Sequence, residues 1–254
     1  MNSPIPAALQ PPVIRTPAFS YSGSELDALA NARNYYSWLV KQFEPHLGAT
    51  VIEVGSGIGT FAEYILSIPS VRRLIAVEPA DNTYPTLRER FARDSRVTTV
   101  RSYLNAGLKL PRADSLVAVN VMEHIEDDAE FAATAFASVK PGGALLLLVP
   151  ALPAIFGSLD AKFEHFRRYT RKSLREKLEP GGWVIERLDY ANLPGVLAWY
   201  VAGRVLRKST ITPRETMLYD RWVIPWAFRL EALIAPPLGQ SLVVIARKPQ
   251  SARR

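Results

Sequence analysis

From residue 50 to residue 149 short apolar runs alternate with stretches whose apolar residues recur at helical spacing. Residues 50–54, 73–77, 97–101, 115–120 and 144–149 read as strands. Helices are predicted from the turn at Gly55–Gly59 to about Leu66, over 83–92 and near 129–139, and Lys140-Pro141-Gly142-Gly143 marks a turn before the fifth run. Continuous apolar runs set between helices belong to strands buried on both faces, which means a parallel sheet. Ahead of them, 24–43 reads as one helix: Ser24 is its N-cap with Asp27 three residues on, Leu26, Leu29, Ala30 and Tyr36 recur on one face, and Pro45 and Gly48 end it. The pattern changes after Pro150. Thr170 caps a helix over 171–178 that Pro180-Gly181-Gly182 stops, and 183–189 and 241–247 read as two late strands, an antiparallel addition at one sheet edge. Between those strands, 191–240 carries two apolar helical segments, near 196–206 and 219–233.

Composition narrows the chemistry. The 254 residues are 48% hydrophobic and 22% charged, ordinary usage for a chain with a sizeable core. There is no cysteine, which excludes thiolate nucleophiles and cysteine-ligated metal centres, and the only histidines are His46, His124 and His165. We expect no metal. The net charge of +7 permits contact with phosphate, nucleic acid or anionic lipid without establishing any of them. Residues 1–23, with five prolines, are expected to form an extended arm, and 249–254 a basic tail ending in Arg253 and Arg254. No leader or spanning stretch is visible, so a cytoplasmic location is expected, with peripheral membrane contact open.

The most informative stretch runs from Glu53 to Thr60, where a strand turns into a helix. Gly55, Gly57 and Gly59 give G-x-G-x-G, whereas the dinucleotide fingerprint needs a glycine at Thr60. Glu53, two residues before the first glycine, would oppose a pyrophosphate and attract a cation. Both features favour an amino-acid-bearing nucleoside over a dinucleotide. A second acid, Glu78, closes the second strand, where a carboxylate accepts hydrogen bonds from ribose hydroxyls; the alternative is a residue that only begins the turn Glu-Pro-Ala-Asp.

This acid–x–G–x–G–x–G loop with its strand-end acid resembles the class I S-adenosylmethionine-dependent methyltransferases, over roughly 31–202 and again at the last strand. The resemblance implies an α/β, Rossmann-like fold: a seven-stranded, mostly parallel sheet with helices on both faces and the last strand antiparallel. It implies one methyltransferase domain over 24–248, with 191–240 as a helical insertion. It implies that Gly55, Gly57 and Gly59 pack on the methionine part of S-adenosylmethionine, that Glu53 holds its ammonium and that Glu78 holds its ribose. Ser102 or Tyr103, after the third strand, would meet the adenine. After the fourth strand Asn120 would line the methionine end, and Glu123-His124 would lie near the methyl group. For His124 a helix-start role and a chemical role stay open.

The segment after the fifth strand lies on the rim where an acceptor enters. Asp160, His165, Arg167, Arg168 and Tyr169 fall within ten residues there. The segment resembles an F-G-x-x-D…G-H-x-R-R-Y-T stretch in a bacterial small-molecule and glycan-associated methyltransferase subgroup, with Glu164 standing where that subgroup carries glycine. A hydroxyl acceptor must lose a proton on methylation, and histidine is the side chain suited to take it near neutral pH. His165 is the leading base, with Asp160 orienting it or holding an acceptor hydroxyl. Arg167 and Arg168 would bind a phosphate or carboxylate, or else pair with Glu164 or Asp160; Tyr169 would face the acceptor or pack on the sheet. The expected function is O-methylation of a sugar-containing or other small acceptor. The alternatives are N- or C-methylation of another metabolite, a nucleic-acid methyltransferase and a non-catalytic cofactor-binding protein. No RNA-binding module is visible, and the Asn-Pro-Pro-aromatic motif of amino-methylating enzymes is absent after the fourth strand.

Overall fold

A computed structural model describes residues 19–21 and 25–250. The remainder of the proline-rich arm, the Ser24 cap and the arginines at 253 and 254 lie outside the described residues.

Seven strands form one sheet in the order β3-β2-β1-β4-β5-β7-β6. They are β1 (Thr50–Val54), β2 (Arg73–Val77), β3 (Val97–Val100), β4 (Ala113–Val119), β5 (Val139–Pro150), β6 (Val184–Ala191) and β7 (Ser241–Arg247). The first five run parallel, and β7 inserts antiparallel between β5 and β6. Strand alternation divides the core into two layers. Ile52, Ile75, Leu116, Leu145 and Val244 face one way, against Phe131 of α5 (Asp128–Ser138) and Leu174 of α7 (Arg171–Leu178). Val51, Leu74, Val117, Leu146 and Val243 face the other way, against Leu39 and Phe43 of α2 (Arg33–Phe43), Ile65 of α3 (Thr60–Leu66) and Leu87 of α4 (Tyr84–Arg90). This is the period-two burial that runs apolar on both faces demand.

Local caps agree with the sequence in α7: the Thr170 hydroxyl accepts from the Ser173 amide at 3.0 Å, and the Ser173 hydroxyl accepts from the Thr170 amide at 2.9 Å. The single helix expected over 24–43 is instead two, α1 (Glu25–Leu29) and α2, broken at 30–32. Asp220, far along the chain in α9 (Pro213–Trp222), takes the opening amides of α2: its carboxylate accepts from Asn34 N at 3.0 Å and Tyr35 N at 2.9 Å. A new helix start with its own cap satisfies donors that a continuous helix would have bonded internally.

The stretch between β6 and β7 folds as α8 (Leu193–Tyr200), continued by a π turn over Val201–Val205, then α9 and α10 (Ile224–Leu233). Against α8 and that turn sits α6 (Ser158–Lys162), where Ser158 Oγ donates to Gly203 O at 3.0 Å. The contact is close because residue 157 is glycine: a Cβ there would stand 2.8 Å from the Gly203 carbonyl carbon. Among the described residues no helix is long and apolar enough to cross a membrane.

Candidate active site

The sheet order reverses beside β1, and the loops after β1, β2, β3 and β4 open at the same strand ends, the place where open α/β sheets hold ligands. A cavity of about 1400 Å³ lies there, larger than the roughly 300–1,000 Å³ of most small-molecule sites and so roomy enough for two ligands. Its wall includes Glu53, Gly55, Gly57, Glu78, Ser102, Tyr103 and Asn120 on one side and His124, His165, Arg168 and Trp199 on the other.

The glycine loop turns tightly. Gly55, Gly57 and Gly59 have φ of +70°, +54° and +87°, a region closed to most side chains. At Gly59 a Cβ would also stand 2.7 Å from Phe91. The Gly57 amide donates to Glu78 Oε2 at 2.8 Å, while Ala80 N and Thr83 Oγ1 donate to Glu78 Oε1 at 2.9 and 3.0 Å. A carboxylate accepts about four hydrogen bonds, so Glu78 Oε2 keeps room for another donor. Glu53 is buried, and its Oε2 has no partner. Burial, with Glu78 nearby, pushes its carboxyl up to about 7. An orphaned buried carboxyl of this kind suits a cationic ligand, which would restore its charge. It is the feature on which the fit of S-adenosylmethionine, through its ammonium, rests. Asn120 stands at φ +51°, its amide donating to Leu148 O at 2.8 Å.

The acceptor-side segment is organised around Asp160, which is fully buried. Its carboxylate meets His165 Nδ1 at 3.0 Å and accepts from Arg168 Nη1 at 2.8 Å, Trp199 Nε1 at 2.9 Å and Gly157 N at 2.9 Å. These donors hold it down to about 2 despite its burial. Because Asp160 occupies Nδ1, the Nε2 atom of His165 is left for other partners. The His124 and His165 rings meet edge-on with centroids 4.7 Å apart. Burial and His165 push His124 down to about 3, so it stays neutral at ordinary pH. Glu123 is fully buried, both its carboxylate oxygens lack partners, and burial raises it to about 7. Glu123, His124 and His165 each place one ligand-type atom within 4.8 Å of the others, and among the described residues they are the group able to hold a metal ion.

The structure brings most of the sequence-predicted residues to one cavity. The exceptions are Glu123, Arg167, Tyr169 and Gly59, which do not line it, and Asp160, which reaches it through His165 and Trp199. Arg167 pairs with Asp128 at 2.8 Å and donates to Ile125 O and Glu126 O. Arg168 lies in the wall with donors committed to Asp160, Ala151 O and Gln240 O. Tyr169 is buried, its hydroxyl on Met122 O and Asp128 Oδ2. Of the alternatives open in the sequence, ion pairing to Asp160 holds for Arg168 and packing for Tyr169, because a guanidinium or phenol buried in the segment must find protein acceptors. Glu164 has φ +61°, the left-handed conformation that glycine adopts without strain. Glu164→Gly is therefore expected to stabilise the fold by about 1 kcal/mol, read from the midpoint of chemical unfolding.

Sequence reasoning missed several wall residues. Phe19 and Tyr21 of the arm lie across the opening: Asp81 N donates to Phe19 O at 2.7 Å, Tyr21 N donates to Asn82 Oδ1 at 3.0 Å, and the Phe19 ring tilts on Tyr103 with centroids 5.8 Å apart. Their signal was two aromatics ending a proline run. Trp199, Tyr219 and Ser241 lie in or beside the 191–240 stretch, which carries no motif that assigns its residues to the cavity.

A family model described as a methyltransferase domain matches residues 28–188. A Mycolicibacterium smegmatis protein described as a probable S-adenosylmethionine-dependent methyltransferase is 32% identical over 143 residues, 55% of this chain and 53% of that one, so the chain spans about half the length of this relative. The ubiquinone biosynthesis O-methyltransferase of a Methylobacterium species is 27% identical over 179 residues, 63% of this chain and 68% of that one. Phosphoethanolamine N-methyltransferase 2 of Haemonchus contortus, solved in complex with S-adenosyl-L-methionine, shares the fold with a TM-score of 0.59 at 17% identity, over 90% of this chain and 58% of that one. With the glycine loop and the orphaned Glu53 carboxyl at the strand ends, these matches lead to one conclusion: the chain belongs to the methyltransferase-domain family, of the S-adenosylmethionine-dependent class.

Proposed function

We propose that the protein transfers the methyl group of S-adenosylmethionine to a hydroxyl of a sugar-containing or other small acceptor, with His165 as the base. The observation that carries this is the His165–Asp160 pair on the wall of the cavity that also holds the orphaned Glu53 carboxyl. The cofactor supplies an activated methyl on a sulfonium centre, and the protein's part is to bind, orient and remove a proton. In this reading Glu53 holds the ammonium, Glu78 Oε2 accepts one ribose hydroxyl, and Ser102, Tyr103 and Phe19 flank the adenine. Gly55, Gly57 and Gly59 shape the loop and Asn120 lines the methionine end. Asp160 fixes the imidazole with Nε2 toward the acceptor. His124, neutral and weakly basic, shapes the wall beside it. Arg167, Arg168 and Tyr169 hold the segment in place instead of touching the acceptor. A relative described as a ubiquinone O-methyltransferase supports oxygen as the methylated atom. The test is transfer of labelled methyl onto cell extract separated into lipid, glycan, RNA and small-metabolite fractions. Label on a hydroxyl of a sugar-containing or small acceptor is expected; label on RNA alone, or on none, overturns the reading.

Glu53 also predicts a proton signature. Its carboxyl sits near 7 in the free protein, and an ammonium beside it would restore the ionised form. Binding near pH 6 should therefore release close to one proton, on the order of 0.9, and affinity should rise as pH climbs through about 7. Calorimetry in buffers of different ionisation enthalpy reads the release directly. Glu53→Gln should abolish it and weaken binding; an unchanged release would remove Glu53 from the ammonium role.

A further inference from the structure

Helix α10 is apolar on two sides. Ile224, Ala227 and Phe228 are buried, with Phe228 stacked on Trp38 of α2 at 3.8 Å between centroids. On the opposite side Trp226, Leu230 and Leu233 fall at i, i+4 and i+7 and are 68%, 60% and 83% exposed, and Trp222 at the end of α9 extends them. A helix with a second apolar face turned to water marks an interaction surface. The same holds at the cavity: Leu197, Val201 and Leu206 are exposed and also line its mouth. The two faces are tied together by Glu231 of α10, whose carboxylate accepts from Asn192 N at 3.0 Å and Leu193 N at 2.8 Å at the start of α8.

Charge decides which partner this surface fits. Between β6 and β7 there are six basic residues and three acids. Two of the acids are spent inside the protein, Asp220 on the start of α2 and Glu231 on the start of α8, while Glu215 is exposed but paired with Lys208 and bonded to the cap of α9. Arg221 and Arg229 remain beside the stripe, lying over Trp222 and Trp226 at 5.2 and 5.4 Å. Aromatic and aliphatic side chains interleaved with arginine, with the one exposed acid, Glu215, neutralised by Lys208, match the interface of an anionic bilayer, where tryptophan sits at headgroup depth and arginine meets lipid phosphate.

We propose that the α8–α10 face docks on an anionic lipid surface and opens the acceptor end of the cavity onto the headgroups. Docking stands on this face alone. That the acceptor is then a membrane-borne amphiphile, its hydroxyl reaching past Leu197 and Leu206 to His165, rests on the methyl-transfer reading above.

The experiment is co-sedimentation of the full chain with phosphatidylcholine vesicles, with and without phosphatidylglycerol, beside the variant W226S/L230S/L233S. These side chains are exposed, so the variant should keep its fold and its S-adenosylmethionine affinity, both checked in solution. The wild type is expected to sediment with the anionic vesicles and poorly with phosphatidylcholine alone, to release at high salt, and to bind more than tenfold more tightly than the variant. Equal sedimentation of wild type and variant overturns the proposal, as does absence of vesicle binding by the wild type. If the wild type stays off vesicles and self-associates while the variant is monomeric, a second copy covers the face. If only a chain lacking residues 1–18 binds, the N-terminal segment covers it. Intact cofactor binding with no vesicle binding sinks the docking alone, and vesicle binding with no methyl transfer sinks the functional reading alone.

Discussion

Replacing His165 with alanine is expected to slow methyl transfer about 10²–10⁴-fold at saturating acceptor, while affinity for S-adenosylmethionine stays nearly unchanged. His165 lines the cavity and is bonded through Nδ1 to Asp160, which leaves Nε2 to take a proton. Loss of the imidazole removes that acceptor without touching Glu53, Glu78 or the glycine loop. His124→Ala is the comparison. Burial holds His124 near 3, too acidic to serve as an effective base near neutrality, so its removal should cost far less in turnover. It should act through packing, since its ring abuts both His165 and Tyr21. Single-turnover kinetics separate the two variants. Near-normal transfer by His165→Ala would make His165 structural and move attention to Glu123.

The second large effect is on stability. Asp160→Ala is expected to destabilise the protein by about 3–5 kcal/mol, because removing one partner of a buried ion pair leaves the other charge uncompensated. Here the stranded group is the Arg168 guanidinium, which is itself buried. His165, Trp199 and Gly157 lose the same acceptor. Denaturant unfolding checks it, and a loss below about 1 kcal/mol would match an exposed pair and contradict the buried network. The pH dependence of stability should carry both signs. Asp160 is held below its ordinary value, so its contribution is present above about 4 and is lost as pH falls through about 2. Glu53 and Glu123 are raised, so theirs is present below about 4.5 and is lost as pH rises through about 7. The cofactor-free protein should therefore melt at its highest temperature on the acid side of neutrality, and S-adenosylmethionine should narrow the loss toward pH 8 by recharging Glu53.

Cofactor-side residues were legible because their signal is local. The strand–glycine–helix turn places Glu53, Gly55, Gly57 and Gly59 within seven residues, and a parallel sheet brings the next strand end, with Glu78, alongside. The acceptor side was only half legible. The cluster at 160–169 was visible as dense polar chemistry, but its division of labour was not, because bonding partners decide it. The donors of Arg167 end on the loop after β4 and on Asp128 of α5, those of Arg168 on Asp160, Ala151 and Gln240, and the Tyr169 hydroxyl on Met122 and Asp128.

By itself the sequence determined what depends on neighbours a few residues apart: the strand and helix alternation, the Thr170 cap, the positive-φ turn of the glycine loop, and from these the fold and the class of cofactor. Periodicity and turn chemistry act over one or two turns of chain, so they are readable without coordinates. Only the tertiary structure decided what depends on residues far apart in the chain. Asp220 splits the first helix from 186 positions away. Phe19 and Tyr21 meet the cavity through Asp81 and Asn82. Trp199 reaches Asp160 from an apolar helix of the 191–240 insertion, 39 positions along the chain. Glu53 and Glu123 titrate near 7 because the packed fold shuts water away from them, and no spacing along the chain carries that information.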